Sequence, residues 1–189
     1  MFIICPRSGR GLGHGMGFLG VARVGMEDVQ KPREDFASAF EAAFARLQVA
    51  LLEACRRERD WPARAAAGIA AGMEFAAADP AAAAVLTNEA LAEGADGIAR
   101  HERLIAYLGE RLLPGREERP DDELLPDITE RAVASGAVML VAQRIDGGGE
   151  GELPALAPEV VQFVLTPYLG AEEARRLAFE AHPSGPENA

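Results

Sequence analysis

The chain has 189 residues, a mass of 20.0 kDa and a formal net charge of −11. This length corresponds to one domain, and an apolar share of 49% excludes a generally disordered chain. Aromatic residues make up only 6% and alanine is the commonest residue. The composition therefore favours helices over a β-sandwich, because alanine is the best helix former and is depleted in strands.

The first 33 residues differ in composition from the rest. They hold five basic and two acidic side chains, a net charge of +3, so the remaining residues carry −14. Gly15-Met-Gly17-Phe-Leu-Gly20 fits the letters of a dinucleotide-binding loop. That motif needs a strand directly before it and a helix after it, whereas residues 21–25 show no helical period. We therefore interpret residues 1–33 as a glycine-rich, poorly ordered leader.

The cysteines and the hydropathy pattern indicate the compartment. Cys5 and Cys55 form neither a disulfide framework nor a zinc-binding spacing. No apolar run reaches the roughly 18–20 residues that a membrane span requires, and the first residues lack the leading positive charge of a signal peptide. We expect a reduced, cytoplasmic protein with no membrane partner. The acidic residues 34–189 are not expected to bind nucleic acid by themselves, because phosphate contacts need lysine and arginine.

An apolar stripe predicts the first helix, over residues 34–59. Its members recur every three or four residues, which places them on one helical face. Arg56 and Arg57 are expected in the last turn, where the helix dipole favours positive charge. The stripe consists of Phe36, Phe40, Phe44, Leu47, Leu51 and Cys55.

Proline and aspartate predict the next three helices. Pro62 fits the first turn of a helix over residues 62–77, and Asp79 with Pro80 is the cap and first residue of a helix over 80–92. A fourth helix extends from residue 95 or 96 to 113, where Pro114 and Gly115 end it. The polar, proline-rich residues 114–126 are predicted to form a loop.

The C-terminal helices carry an excess of apolar surface. The fifth, over residues 126–145, is apolar almost all the way round at residues 132–142. Such a helix must be covered on both sides, so we expect its own core on one side and a second subunit on the other. The alternative is a helix that is buried entirely within a monomer. After a glycine-rich break, a short helix over 158–168 is also apolar on more than one face. A last helix over 171–181 and a frayed tail over 182–189 complete an all-α domain of about seven helices.

Several short motifs resemble the C-terminal ligand-binding domain of TetR-type transcriptional regulators. They are Trp61-Pro-Ala-Arg64, Glu74-Phe-Ala with Asp79-Pro80, Asn88-Glu-Ala90, and the ending Leu153-Pro with Phe163-Val-Leu-Thr-Pro-Tyr-Leu-Gly170. The resemblance covers roughly residues 35–178. It implies an orthogonal helical bundle whose last two long helices pair with those of a second copy in a four-helix bundle across a two-fold axis.

The chain departs from that family at its beginning. Members start with a three-helix DNA-binding unit that contains a helix-turn-helix, whereas here only residues 31–36 resemble its junction. The glycine-rich residues before them are not suited to three packed helices, because glycine costs about 1 kcal/mol per interior helical position relative to alanine. We expect a sensing domain without its own DNA-reading head, explained by a truncated gene, a misassigned start or a genuine stand-alone domain. DNA would then be reached only through a full-length relative or a missing N-terminal domain.

The sequence gives little support for catalysis. His14 lies in the leader and His182 in the tail, and no serine nucleophile motif accompanies His101. Glu89, Glu93 and His101 allow a carboxylate–histidine metal site as an alternative, but solvated or capping charges are the preferred interpretation. No catalytic residue, metal or cofactor is therefore predicted.

The resemblance and the pattern together predict a binding and dimerisation module. A small, mostly apolar ligand is expected between the helices, and Asn88 would hydrogen-bond either that ligand or a neighbouring backbone group. The alternative is a stand-alone ligand-binding or structural helical protein with no transcriptional role. Predicted ligand-binding residues are Phe40, Phe44, Leu47, Met73, Phe75, Leu86, Asn88, Arg103 and Tyr107. Predicted homodimer-interface residues are Val133, Gly136, Met139, Leu140, Gln143, Val160, Val161, Val164 and Tyr168.

Overall fold

A computed structural model describes residues 27–119 and 124–180 of the chain, and within them it contains seven α-helices and no strand. The predicted all-α class is confirmed. The predictions for residues 1–26 and 181–189, which include the glycine motif, Cys5, His14 and His182, lie outside the described residues. The helices are α1 (Glu27–Cys55), α2 (Trp61–Ala78), α3 (Pro80–Ala92), α4 (Gly94–Leu112), α5 (Thr129–Asp146), α6 (Leu153–Leu169) and α7 (Ala171–Glu180).

Two aspartates determine where α2 and α3 begin. The Asp60 carboxylate accepts a hydrogen bond from the Ala63 N–H, and the Asp79 carboxylate accepts one from the Ala82 N–H, both at 2.9 Å. Each cap precedes a proline in the first helical turn. Capping satisfies an N–H group that has no partner inside the helix, so the cap predicted at Asp79 is confirmed. Between α2 and α3 the chain bends by 111°.

The bounds predicted for α1 are wrong at both ends. The helix begins at Glu27 rather than residue 34, and it ends at Cys55 rather than residue 59. Arg56 and Arg57 therefore follow the helix instead of lying in its last turn. The physical reason is the cap at Asp60, which starts α2 so early that residues 56–60 must form the turn between the two helices.

Two predictions in the C-terminal half also need correction. Helix α6 begins at Leu153 instead of residue 158, because Pro154 fits the first turn and the helix continues through Pro158. The predicted loop over 114–126 starts as a 3₁₀ helix, Leu113–Glu118, and α5 begins only at Thr129. A short 3₁₀ helix, Glu150–Glu152, lies in the predicted glycine-rich break.

The apolar surface of α6 is covered within the chain. Val160, Val164 and Tyr168 pack in a cluster with residues of α2 and α5. On its other side, Val161 and Leu165 pack against Ala66 of α2 and the small residues of α7. Since these five side chains are at most 2% exposed, α6 is a central core helix.

No single helix of the described residues is long and apolar enough to cross a membrane. The α2–α3 pair meets the test of length and composition only when its two bent parts are taken together.

Candidate functional site

A cavity of about 400 Å³ lies inside the helical bundle. Its wall is almost entirely apolar and receives residues from each of the first six helices. Cavities of roughly 300–1,000 Å³ with apolar walls and a few polar groups are typical of small-molecule sites. The arrangement can therefore enclose a small, mostly apolar molecule.

Small side chains on α2 create this space. Ala65, Gly68, Gly72 and Ala76 recur every three or four residues, and all four line the cavity. A Cβ atom added at Gly72 would meet only the Leu51 Cδ2 atom, at 3.8 Å. The space that larger side chains would fill between α1 and α2 is thus left empty.

The cavity opens at one end of the bundle. Five of its lining residues are solvent-exposed, and they come from the end of α1, the start of α2 and the end of α4 with the adjoining 3₁₀ helix. We place the opening among these five, because the other described lining residues are buried or half-buried. They are Leu52, Arg64, Glu110, Arg111 and Pro114.

A π-helical turn forms part of the wall. Within α3, residues Val85–Glu89 are π-helical, a local irregularity that is frequent at functional sites. Leu86 and Thr87 of this turn line the cavity, and the Thr87 hydroxyl donates to the Ala83 carbonyl at 2.8 Å. Asn88, the next residue, donates to the Ala142 carbonyl at 3.2 Å and to the Asp146 carboxylate at 2.5 Å. The turn thus connects the cavity wall to α5.

Four of the nine predicted ligand-binding residues line the cavity, namely Leu47, Met73, Phe75 and Leu86. Asn88 takes the second role foreseen for it, since its side chain bonds a backbone carbonyl of α5.

The other four predicted residues form a separate packed group between α1 and α4. Phe40 and Phe44 are buried, and Tyr107 meets the Phe44 ring edge-on at 5.3 Å. Arg103 covers both phenylalanine rings and binds the Glu41 carboxylate at 2.7 Å. These residues do not line the cavity because the stripe on α1 passes two different neighbours, α4 near its start and the cavity near its end.

The sequence interpretation missed the small residues of α2 and the arginines at the opening. A signal for the first existed, since Ala65, Gly68, Gly72 and Ala76 lie on one helical face and would leave space against any neighbour. No comparable local signal marks Arg64 and Arg111, because the tertiary fold brings them to the same opening.

A buried carboxylate on α5 connects three segments of the chain by hydrogen bonds. Glu130 on α5 is 5% exposed and accepts two hydrogen bonds from Arg116, at 2.8 and 2.7 Å, and one from the Tyr168 hydroxyl at 3.4 Å. Arg116 also donates to the carbonyls of Leu125 and Pro126. This network ties the 3₁₀ helix and the segment before α5 to α6.

The ionisation of this network follows from its contacts. Burial alone raises the pKa of Glu130, but the hydrogen bonds and positive charge of Arg116 outweigh it, so the pKa lies below its usual 4.5. Burial, followed by the neighbouring Glu130 charge, raises the pKa of Tyr168 far above 10. Glu130 therefore remains a carboxylate and Tyr168 a neutral hydrogen-bond donor near neutral pH.

The structure divides the predicted dimer-interface residues into two groups. Val133, Val160, Val161, Val164 and Tyr168 are at most 7% exposed inside the chain, so they offer no surface to a second copy in this fold. The prediction for these five is corrected because α2, α5 and α7 already cover α6.

The other four predicted interface residues remain on the surface. Met139 and Gln143 are exposed, and Gly136 and Leu140 are half-buried. Phe163 of α6, which the sequence interpretation missed, is 51% exposed and lies beside Gly136, where an added Cβ would stand 3.0 Å from its ring. We call Gly136, Met139, Leu140, Gln143 and Phe163 the α5–α6 face.

The described residues contain no group of three or more histidine, cysteine, aspartate or glutamate side chains that could hold a metal ion. His101 instead lies with its Nδ1 atom 3.3 Å from the Leu86 carbonyl oxygen in the π turn.

The sequence matches no protein-family model, and comparison with curated proteins and with solved structures likewise finds no match. The resemblance to TetR-type regulators therefore depends on the short motifs quoted above.

Proposed function

We propose that this chain is a small-molecule-sensing and dimerisation domain similar to that of TetR-type transcriptional regulators. The apolar cavity of about 400 Å³ inside the bundle is the observation that carries the proposal. A binding role is favoured over catalysis because the wall is apolar and its Thr87 hydroxyl is engaged with a backbone carbonyl. The site has the composition expected for reversible binding of an apolar ligand.

The π turn supports a route from the ligand to α5. A molecule in the cavity would contact Leu86, and two residues further on Asn88 binds the α5 backbone and Asp146. A displacement of the π turn would therefore be transmitted through these hydrogen bonds to the C-terminal end of α5. A ligand can shift a conformational equilibrium only if it binds the two conformations with different affinities. The proposed route therefore requires that the π turn has two positions, one of which binds the ligand more tightly.

A second copy of this chain is the proposed partner, and it would bind through the α5–α6 face. Met139 and Phe163 are each 51% exposed there, next to the half-buried Leu140. Neighbouring apolar side chains on a surface are typical of protein interaction sites. The proposed homodimer thus uses the helices predicted from the sequence but a different side of α6.

DNA contact is proposed only together with a separate DNA-binding domain, because residues 34–189 carry a net charge of −14. The alternative function is a stand-alone ligand-binding or structural helical protein. A ligand that changes the dimerisation constant would support the sensor, whereas binding without such a change would favour the alternative.

Filling the cavity tests ligand binding. Decanol, a neutral apolar probe, should raise the melting temperature of the wild-type protein and have little effect on Gly72→Leu. The control Ala99→Leu, at an exposed position of α4, should respond like the wild type. If decanol affects none of the proteins, or affects Gly72→Leu as strongly as the wild type, the cavity is not the binding site.

Charge on the α5–α6 face tests dimerisation. Sedimentation of the wild type should give about twice the monomer mass of 20.0 kDa, and Met139→Glu and Phe163→Glu should each give the monomer mass. Val49→Glu is the matched control, since Val49 is 55% exposed on α1. A wild type that sediments as a monomer at micromolar concentration would refute the dimer.

A further inference from the structure

We propose that the cavity binds a monomeric amphiphile whose apolar tail lies in the interior and whose anionic head group is held at the opening by Arg64 and Arg111. This inference rests on the proposed binding function and names the class of ligand.

The distribution of charge along the cavity is the first argument. Among the described residues that line the cavity, the charged ones are Arg64, Glu110 and Arg111, and all three are exposed, whereas those of the interior wall are uncharged. Two positive charges and one negative charge therefore surround the opening of a protein whose formal net charge is −11. A ligand that matches this surface is apolar at one end and negative at the other.

The state of the two guanidinium groups is the second argument. Neither Arg64 nor Arg111 forms an ion pair with a carboxylate of the described residues, whereas seven other arginines do. Those seven are Arg46, Arg100, Arg103, Arg116, Arg131, Arg144 and Arg176. A guanidinium group has five N–H donors that match a carboxylate or a phosphate, so Arg111 and the Nη1 group of Arg64 are able to bind an anion from outside the chain.

Both arginine side chains are positioned by neighbouring groups. Arg64 donates from Nε to the Glu58 carbonyl at 3.1 Å and from Nη2 to the Arg59 carbonyl at 3.0 Å. The Arg111 guanidinium lies 4.2 Å from the centre of the Tyr107 ring. Donors that are held in place lose less conformational freedom when they bind a ligand.

The third argument is that the segments carrying the two arginines are in contact beside Cys55. This residue lines the cavity near the opening, and its thiol donates to the Arg64 carbonyl at 3.4 Å. Burial raises the pKa of the thiol, while the charges of Arg111 and Arg64 both act in the opposite direction. Trp61, one helical turn before Arg64, donates from Nε1 to the Arg111 carbonyl at 3.1 Å, so both arginines belong to the same end of the cavity, where a single head group could contact them together.

A series of ligands with the same tail and different head groups tests this assignment. Decanoate, decyl phosphate, decanol and decylamine are titrated by calorimetry at neutral pH, below the concentrations at which they aggregate. The wild type should bind decanoate at least tenfold more tightly than decanol and should bind decylamine most weakly. Tighter binding of either anion supports the assignment, and their ratio distinguishes a carboxylate from a phosphate head group.

Matched variants separate the head group from the tail. Arg111→Met should weaken decanoate at least tenfold and leave decanol within twofold, while Arg111→Lys should retain most of the affinity for decanoate. Arg64→Met should act in the same direction, with circular dichroism to confirm folding, since Arg64 also binds two carbonyls of the α1–α2 turn. Arg175→Met, at an exposed position on α7, is the control and should change neither affinity.

The outcomes distinguish this inference from the proposed function. Equal affinities for decanol and decanoate, unchanged by Arg111→Met, would overturn the anionic head group and leave the apolar binding site in place. Tightest binding of decylamine would also overturn it. If none of the four ligands binds, both the inference and the proposed binding function fail.

Discussion

The stripe on α1 has two halves that obey the same spacing but meet different surroundings. In the filled half, Phe40 and Phe44 pack against α4 without a neighbouring cavity. In the hollow half, Leu47, Leu51 and Cys55 line the cavity. The comparison shows that periodicity determines which face of a helix is buried but not whether the space in front of that face is filled.

The residues opposite each half explain the difference. The filled half meets two large side chains of α4, the Tyr107 ring, 5.3 Å from the Phe44 ring, and the Arg103 guanidinium, which covers Phe40 and Phe44. The hollow half faces Gly68 and Gly72, which have no side chain with which to fill the gap. Interiors are otherwise packed as densely as organic crystals, so a cavity of this size needs support from elsewhere in the structure. One contact on the far side of the cavity is that of the lining residue Trp61 with the Tyr168 ring, edge-on at 5.2 Å, and Tyr168 in turn donates to Glu130.

The largest expected effect comes from the filled half. Phe40 is 0% exposed, so Phe40→Ala should lower the free energy of unfolding by about 3–5 kcal/mol. Leu51→Ala in the hollow half should cost roughly 2 kcal/mol, the low end for its type, because Leu51 already borders empty space. Urea unfolding at neutral pH measures both. Equal losses would mean that the two halves are packed alike.

The contribution of the Glu130 network to the free energy of unfolding should depend on pH. Glu130→Gln should cost about 2 kcal/mol at neutral pH, because it replaces charge-assisted hydrogen bonds with weaker ones. The pKa of Glu130 in the folded protein lies below its usual 4.5, so its contribution is present above that pH and is lost as the pH falls through the folded value. The variant should therefore lose less stability than the wild type on acidification.

Unfolding in urea over a series of acidic pH values checks this dependence. Glu53→Gln, at an exposed position on α1, should follow the wild type at every pH. A Glu130→Gln curve parallel to that of the wild type would show that the network contributes nothing to the acid response.

An intermediate effect is expected where the 3₁₀ helix packs beside the cavity. A Cβ atom added at Gly115 would overlap the Trp61 ring and approach Tyr168 at 2.8 Å. Gly115→Ala should therefore cost about 1–3 kcal/mol through overpacking. Gly151→Ala is the control, since no atom lies within 4 Å of its added Cβ. Thermal unfolding of the two variants should differ clearly, and equal melting temperatures would disprove the close contact.

The smallest effect is expected inside the hollow half. Gly72→Ala should raise the free energy of unfolding by about 0.5–1 kcal/mol, because alanine is the better helix former and its Cβ has room. Gly97→Ala should lower stability, since its Cβ would overlap the Ala90 carbonyl oxygen. A loss of stability in Gly72→Ala would indicate that α1 and α2 are closer than the structure shows.

Local signals in the sequence predicted most of the helices. Asp79 with Pro80 located the start of α3, and the predicted bounds of α2 and α4 agree with the structure to within one or two residues. The predicted start of α6 at residue 158 is wrong, because Pro154 and not Pro158 is the proline in the first turn of this helix. Four of the nine predicted ligand-binding residues line the cavity, because an apolar stripe identifies a buried face without identifying its neighbour.

The sequence by itself determined the all-α class, the apolar faces and the excess of acidic charge, because these depend on composition and on the period of a single helix. Only the tertiary structure decided which half of the α1 stripe is hollow, that α6 is covered by its own chain, and that Arg64 and Arg111 both line the cavity. Those features depend on contacts between helices that are far apart in sequence, and no local period records them.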